Sequence, residues 1–289
     1  MSSRASEVYL KIETGLPTNS FKPRGALFAL AKTLQRRSVA EVTASSTGNH
    51  GAATAFAAKT MGIPATIFLP EGANPVKCRK IEDLGARIVY AGSLDQAGTF
   101  QAAAEYSQRP GVYFLNDATD PDLPAGPGTI GLELAEQLPD LSAVYVPMGD
   151  TALIRGLAAV VKQLAPKVKV IGVQAEQAPS YVLSWRAGRS IPTETCDTCA
   201  DGLATCAPEE ENVAAIRKVV DDVVLVSDEQ MIAAICHLHQ RENVLAEPAG
   251  AASTAAFLAR PVPGRVALLV SGGNISDDVR RRAGVSSAA

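Results

Sequence analysis

Residues 18–25 read TNSFKPRG and lead at 26–31 into the apolar run ALFALA. A long cation, Lys22, therefore sits beside Phe21 where a helix is about to begin, with Pro23 behind it. Two readings of the lysine stand at this point: a solvated turn residue or a reagent. An unperturbed lysine titrates near pH 10.4 and is a poor nucleophile at neutral pH. A covalent role would need partial desolvation or nearby positive charge, and Phe21 and Arg24 are the neighbours that could supply them.

Outward from this stretch, short β-branched runs alternate with alanine-rich segments. The runs are EVTAS (41–45), ATIFLP (65–70), ARIVYA (86–91), VYFL (112–115), AVYVPMG (143–149), KVIGVQA (169–175), VVLVS (223–227) and RVALLVS (265–271). Between them lie stretches such as HGAATAFAAKTMG (50–62) and PVKCRKIEDLG (75–85). This rhythm predicts an α/β fold with largely parallel sheets flanked by helices. DATDPDLPAGPG (117–128) reads as an irregular crossover where one lobe hands over to another, and a second irregular tract spans about Gly188 to Pro208. Chemistry in such folds gathers where strands run into helices. Three junctions stand out: SSTGNHG (45–51), MGDTALIRG (148–156) and SGGN (271–274).

Composition narrows the function. With 289 residues, 47% of them apolar, the chain can bury a large core. A net charge of -3 gives no general attraction to nucleic acid or anionic membrane, so neither is expected as a partner. No stretch approaches the roughly 20 apolar residues of a membrane span, and MSSRASEVYLKIE lacks the apolar core of a signal peptide. A cytoplasmic protein acting on small molecules is expected. The five cysteines suggest no disulfide framework and are expected to be reduced. Cys196 and Cys199 form a CxxC, with Cys206 near and CHLH at 236–239. As a zinc site the spacing is wrong, and His237 and His239 cannot face the same way on one helix.

GPGTIG at 126–131 satisfies GxGxxG and has Asp150 about twenty residues on, so a nicotinamide-dependent oxidoreductase is an alternative of another class. Its context argues against it. A dinucleotide fingerprint leaves a strand directly, whereas the residues before Gly126 are rich in Asp and Pro; a glycine-rich helix start is the better reading.

The lysine stretch, within KIETGLPTNSFKPRGA (11–26), resembles the lysine motif of the fold-type II, tryptophan synthase β-like, pyridoxal phosphate enzymes, in their serine/threonine dehydratase branch. SSTGNHG, ADGLA (200–204), EPAGA (247–251) and VSGGN (270–274) follow in the family's order, so the resemblance covers nearly the whole chain. It implies pyridoxal 5'-phosphate as cofactor, carried by Lys22, which also moves the substrate's Cα proton. It implies Phe21 beside the cofactor, Gly202 at the opposite ring face, and Ser271 at the pyridine nitrogen. Ser46, Thr47, Asn49 and His50 match the loop that receives the substrate carboxylate, and Asn49 also reaches the cofactor's 3-hydroxyl. A neutral hydroxyl at Ser271 does not stabilise a pyridinium as a carboxylate would, which favours elimination over transamination.

Several positions depart from the family pattern. Gly149, Asp150, Thr151, Ala152 and Leu153 stand where a glycine run usually cradles the phosphate. A carboxylate about 4 Å from a phosphate would cost on the order of 4 kcal/mol at an effective dielectric near 20, more than the roughly 0.3–1 kcal/mol of a helix-dipole contact. Backbone N–H groups of 149–153 are therefore expected to form the cradle, with Thr151 adding a hydroxyl and Asp150 turned outward, toward Arg155. Loss of cofactor binding, giving a non-catalytic relative, is the other outcome of this change. Thr47 stands where family racemases carry a serine. In VQAEQAPSY (173–181), Gln174 and Ser180 replace the acids of a structural cation site, so no metal is expected. Pro127 replaces the glutamine of the family's GQGT, and the family's leading segment with its TPL motif is missing.

The resemblance implies a small lobe of residues 41–118 that closes over substrate, a large cofactor-binding lobe of 1–40 and 119–289, and a homodimer. The expected activity is β-elimination from a β-hydroxy amino acid such as L-threonine or L-serine, giving a 2-oxo acid and ammonia. Phenylserine dehydration, racemisation, diaminopropionate cleavage and β-replacement remain alternatives on the same scaffold.

Overall fold

The alternation read from the sequence is the alternation of elements in the computed structural model, which describes residues 6–46, 48–71, 73, 75–92 and 96–285. The first part of the chain forms β1 (Ser6–Ile12), α1 (Lys22–Arg36), β2 (Glu41–Ser45), α2 (Asn49–Met61), β3 (Ala65–Leu69), α3 (Pro75–Asp83), β4 (Arg87–Tyr90), α4 (Gln96–Tyr106) and β5 (Val112–Phe114). It continues through α5 (Ala125–Gln137), β6 (Ala143–Pro147), α6 (Ala152–Leu164), β7 (Lys169–Ala175), α7 (Ser180–Ala187), α8 (Glu210–Val219) and β8 (Asp222–Val226). The last elements are α9 (Asp228–Glu242), α10 (Pro248–Ala259), β9 (Gly264–Val270) and α11 (Asp277–Arg282).

Two parallel sheets result. Strands β1-β9-β6-β7-β8 form one and β4-β3-β2-β5 the other, with every strand pair parallel. In the larger sheet, successive residues enter opposite cores. Tyr145, Ile171, Val173, Leu268 and Val270 belong to the cluster that includes α9 and α10 residues. Val144, Val146, Val170, Ala267 and Leu269 belong to the one that takes in Leu134, Ile154, Leu157 and Ile216 of α5, α6 and α8. Side chains alternate across a strand, so a sheet covered by helices on both faces needs the near-continuous apolar runs seen here. In the smaller sheet β3 is buried throughout, and α2, whose buried positions are mostly alanine, offers a thin apolar surface beside it.

The chain divides into two compact units along lines other than the expected lobes. One holds residues 16–18 and 22–126; the other takes in the chain up to Gly15, residues 19–21 and everything from Pro127 on, within the described residues. Helix α1, expected with the larger lobe, lies with the smaller sheet because its apolar face packs on α2. Residues 119–126 go with it: a side chain on Gly25 would meet the Leu123 carbonyl at 2.9 Å, and one on Gly126 would collide with the Arg24 carbonyl. Backbone contact this close ties the irregular tract to α1.

Candidate active site

Within the unit built on the smaller sheet, Lys22 opens α1 and Pro23 takes the second position, where a missing N–H costs the helix nothing. The turn ahead of it is strained, with Thr18 and Asn19 at φ 70° and 55°. Left-handed backbone is costly for a β-branched residue, and this concentration of strain just before a candidate reagent is typical of functional turns. Lys22 Nζ forms an ion pair with the Asp117 carboxylate, each side chain only 20% exposed. The irregular tract at 117–128 was legible as a crossover, but nothing in its composition singled out Asp117.

His50 reaches the same carboxylate from α2. Its Nε2 lies 2.8 Å from the Leu115 carbonyl, an acceptor only, so Nε2 carries a proton and donates. Its Nδ1 faces Asp117 Oδ1 at 3.5 Å. The His50 side chain is buried and both of its nitrogens have protein neighbours, so what it offers a carboxylate at the start of α2 is its backbone N–H. The rest of that helix start suits an anion. No side chain caps α2 at Gly48, and the first N–H groups and the dipole of a 13-residue helix attract negative charge. Ser46 accepts from Gly48 N at 3.2 Å, and Asn49 begins the helix. A side chain at Gly51 would collide with the Ser46 carbonyl, so the turn is pressed onto the strand it leaves. Thr47 lies outside the described residues.

The other unit contributes the second group of expected residues. After β6 and Met148 the chain runs through Gly149, Asp150 and Thr151, the last at φ 69°, and α6 follows with no side-chain cap. A Cβ on Gly149 would collide with the Gly202 carbonyl, so the loop and the 3-10 turn at Asp201–Leu203 lie backbone to backbone. The Asp150 carboxylate accepts from Thr205 Oγ1 at 3.1 Å. Behind the loop, Asn212 Nδ2 donates to the Asp150 carbonyl at 3.4 Å and to the Tyr181 hydroxyl at 3.2 Å. Burial pushes the Tyr181 hydroxyl above the usual tyrosine range, with the Asn212 bond opposing. The Thr151 hydroxyl is buried, near enough to the Tyr181 hydroxyl to oppose that rise as well. Ser271 closes β9, is buried, and accepts from Phe21 N at 3.0 Å through its carbonyl. Phe21 packs on the apolar cluster beneath β6, and Lys22 is the next residue in the chain.

The irregular tract near 188–208 holds a further difference from expectation. Cys196 and Cys206 are joined as a disulfide, with Cα atoms 5.3 Å apart. Thr193 N donates to Cys206 O at 2.9 Å, so the tract folds back on itself, which the cysteine count could not reveal. Asp228 holds the intervening Thr198 and Cys199 by a side-chain and a backbone bond of 2.5 and 2.8 Å. Among the described residues no group of three His, Cys, Asp or Glu side chains has the arrangement of a metal site. Gln174 and Ser180 serve the fold instead: Gln174 Oε1 accepts from Val182 N at 3.0 Å, and Ser180 donates to the Thr205 carbonyl.

The glycines of GPGTIG are packing glycines of α5. A side chain on Gly128 would meet Val160 at 3.3 Å, and one on Gly131 would meet the Leu157 carbonyl at 2.6 Å. They let helices approach one another, which removes the need for a dinucleotide.

A phosphate-bearing carbonyl cofactor fits what the residues offer. In the unit of the larger sheet, Gly149 leaves no side chain over the loop, the uncapped start of α6 presents N–H donors and Thr151 holds a buried hydroxyl; in the unit of the smaller sheet, Lys22 offers an amine. Parallel α/β sheets with this set of residues define the class of fold-type II pyridoxal phosphate enzymes. The family model described as pyridoxal-phosphate dependent enzyme matches residues 2–272. The chain is 42% identical over 272 residues to the L-threonine ammonia-lyase of Thermotoga maritima, covering 93% of this chain and 67% of that protein. It is 34% identical over 285 residues to the L-threo-3-hydroxyaspartate ammonia-lyase of Saccharomyces cerevisiae, covering 96% and 85%. The processed form of threonine deaminase isoform 2 from Solanum lycopersicum superposes with a TM-score of 0.90 at 29% identity, covering 96% of this chain and 82% of that one. The chain belongs to the pyridoxal-phosphate dependent enzyme family.

Proposed function

We propose that the protein eliminates water from a β-hydroxy amino acid, L-threonine or L-serine, and that the released enamine takes up water as it loses ammonia, leaving the 2-oxo acid. The observation that carries this reading is the 42% identity, along 93% of the chain, to an L-threonine ammonia-lyase. The bound cofactor supplies an electron sink for the charge left at Cα. The Lys22 amine carries the cofactor and takes the Cα proton, with Phe21 beside the ring. Backbone N–H groups of Gly149, Asp150, Thr151, Ala152 and Leu153 receive the phosphate, and the Thr151 hydroxyl adds a donor to it. Gly202, with no side chain, would leave room for the ring. The Ser271 hydroxyl would be a neutral partner for its nitrogen, and such a partner would favour expulsion of the β-hydroxyl. Ser46, Thr47, Asn49 and the backbone N–H of His50 receive the substrate carboxylate, and Asn49 also reaches the 3-hydroxyl.

Among the described residues no helix is long and apolar enough to cross a membrane. A cytoplasmic homodimer is part of this reading, since free amino acids and the cofactor are available there and related enzymes commonly pair. Sedimentation and cell fractionation address both points.

The test is release of 2-oxo acid and ammonia, measured together, from a panel of β-substituted amino acids without added thiol. Equal release from threonine or serine supports elimination. Inversion of configuration without release would replace it with racemisation. Borohydride reduction followed by peptide mapping should label Lys22, and Lys22→Ala should lose both the label and the release.

A further inference from the structure

Among the described residues, Asp117 contacts Lys22 and takes no part in the reading above. Its carboxylate is ion-paired with Lys22 Nζ and lies 3.5 Å from His50 Nδ1. Resting on the proposed elimination reaction, we infer that Asp117 determines specificity: it admits a β-substituent that donates hydrogen bonds and rejects a β-carboxylate.

The argument follows from distance and charge. A base that takes a proton from carbon works at about 3–3.5 Å, and Asp117 is in direct contact with the base, Lys22. The reacting Cα is therefore within two such contacts of the carboxylate, and a group on Cβ is one or two bonds further on. A β-hydroxyl placed there can donate to Asp117. A β-ammonium can do so with charge assistance. A β-carboxylate meets a like charge, and Lys22, which carries the cofactor and works as the base, is not a standing cation that could offset it. Arg36 on the same helix is paired with Asp122. Two carboxylates about 5 Å apart at an effective dielectric near 20 repel strongly enough for roughly 100-fold discrimination. Such rejection by repulsion is a common source of specificity. The yeast relative is named for 3-hydroxyaspartate, a substrate that carries this β-carboxylate, so the chain is inferred to differ from it in substrate.

The test uses the cofactor-loaded protein and two unreactive amino acids that differ in the β-carboxylate. L-Alanine and L-aspartate are titrated against the cofactor's visible absorbance for wild type, Asp117→Asn and Asp117→Glu. Wild type should bind alanine about 100-fold more tightly than aspartate. Asp117→Asn should cut that ratio at least tenfold while its apoprotein takes up cofactor normally, and Asp117→Glu, which keeps the charge, should restore most of it. Turnover of L-threo-3-hydroxyaspartate relative to L-serine should rise in parallel in Asp117→Asn. A ratio near one in wild type, or one that Asp117→Asn leaves unchanged, overturns the inference while leaving the elimination reading intact. A loaded protein whose spectrum responds to neither alanine, serine nor threonine overturns the elimination reading, and the inference with it. Should Asp117→Asn fail to fold, Asp117→Ala is read against the same ratio.

Discussion

The Asp150 carboxylate is held at 3.1 Å by the hydroxyl of Thr205, a residue from the disulfide-closed segment and not from the loop that Asp150 belongs to. The bond gives the carboxylate a place other than the mouth of the proposed phosphate cradle, where it would cost on the order of 4 kcal/mol at about 4 Å. Thr205→Val should therefore weaken pyridoxal phosphate binding about tenfold, in line with the roughly 1.5–3 kcal/mol of a hydrogen bond to a charged group. Asp150→Asn keeps an acceptor for Thr205 and removes the charge, so it should bind the cofactor at least as tightly as wild type. Spectral titration of the apoprotein checks both. Equal weakening by the two variants would contradict this account.

The same segment links a covalent bond to the site. Cys196 and Cys206 are separated by ten positions, and Gly202 and Thr205 lie between them. Closing a loop of this size restricts the unfolded chain enough to contribute about 3 kcal/mol. Cys206→Ser should lower the unfolding free energy by about that amount in urea titrations. It should also weaken cofactor binding, because the segment that presents Gly202 and positions Asp150 is no longer clamped. Addition of dithiothreitol should reproduce both effects in wild type and neither in the variant.

Cys199 sits inside that loop yet should not exchange with the disulfide. Burial, with the Asp228 carboxylate beside it, pushes its thiol up to about 12, and the thiolate is the attacking form. Iodoacetamide should leave Cys199 largely unmodified near pH 8, with the rate rising about tenfold per pH unit above that. The raised value also fixes the sign of a stability effect. The folded state holds the proton more tightly, so this contribution is complete below the ordinary cysteine range near 8.5 and is lost as pH climbs from there toward 12. Cys199→Ala should flatten the loss of stability over that alkaline window, as read from unfolding midpoints.

The strands were legible because a parallel sheet covered on both faces demands unbroken apolar runs. RVALLVS, AVYVPMG and KVIGVQA stand as β9, β6 and β7 within a residue or two at their ends. The lysine stretch and the three junctions were legible because proline, glycine and small polar residues punctuate strand-to-helix turns for local reasons. Strand order was not, since nothing local tells β1 that its neighbour is β9, more than 250 residues away. Asp117, Thr205 and the Cys196–Cys206 pair were missed for a related reason. Each sits in an irregular tract whose composition announces only irregularity, and its meaning comes from what the chain folds it against. That α1 groups with the smaller sheet was not legible, because an alanine-rich helix face does not name its partner.

The glycines of α5 offer a decisive case, since they satisfied a cofactor motif while serving as packing. A methyl group on Gly131 would stand 2.6 Å from the Leu157 carbonyl of α6, a backbone atom that cannot rotate aside. Overpacking of this kind costs about 1–3 kcal/mol, whereas replacing a mid-helix glycine with alanine returns roughly 1 kcal/mol through helix propensity. Gly131→Ala should therefore be less stable than wild type by up to about 2 kcal/mol. Its affinity for pyridoxal phosphate should stay within about twofold, because the α5 glycine serves helix packing in this account and takes no part in holding the cofactor. A nicotinamide cofactor should bind neither protein. If Gly131→Ala instead kept its stability while abolishing binding of NAD or NADP to wild type, α5 would be a nucleotide cradle after all, and the helix-packing account of GPGTIG would fail.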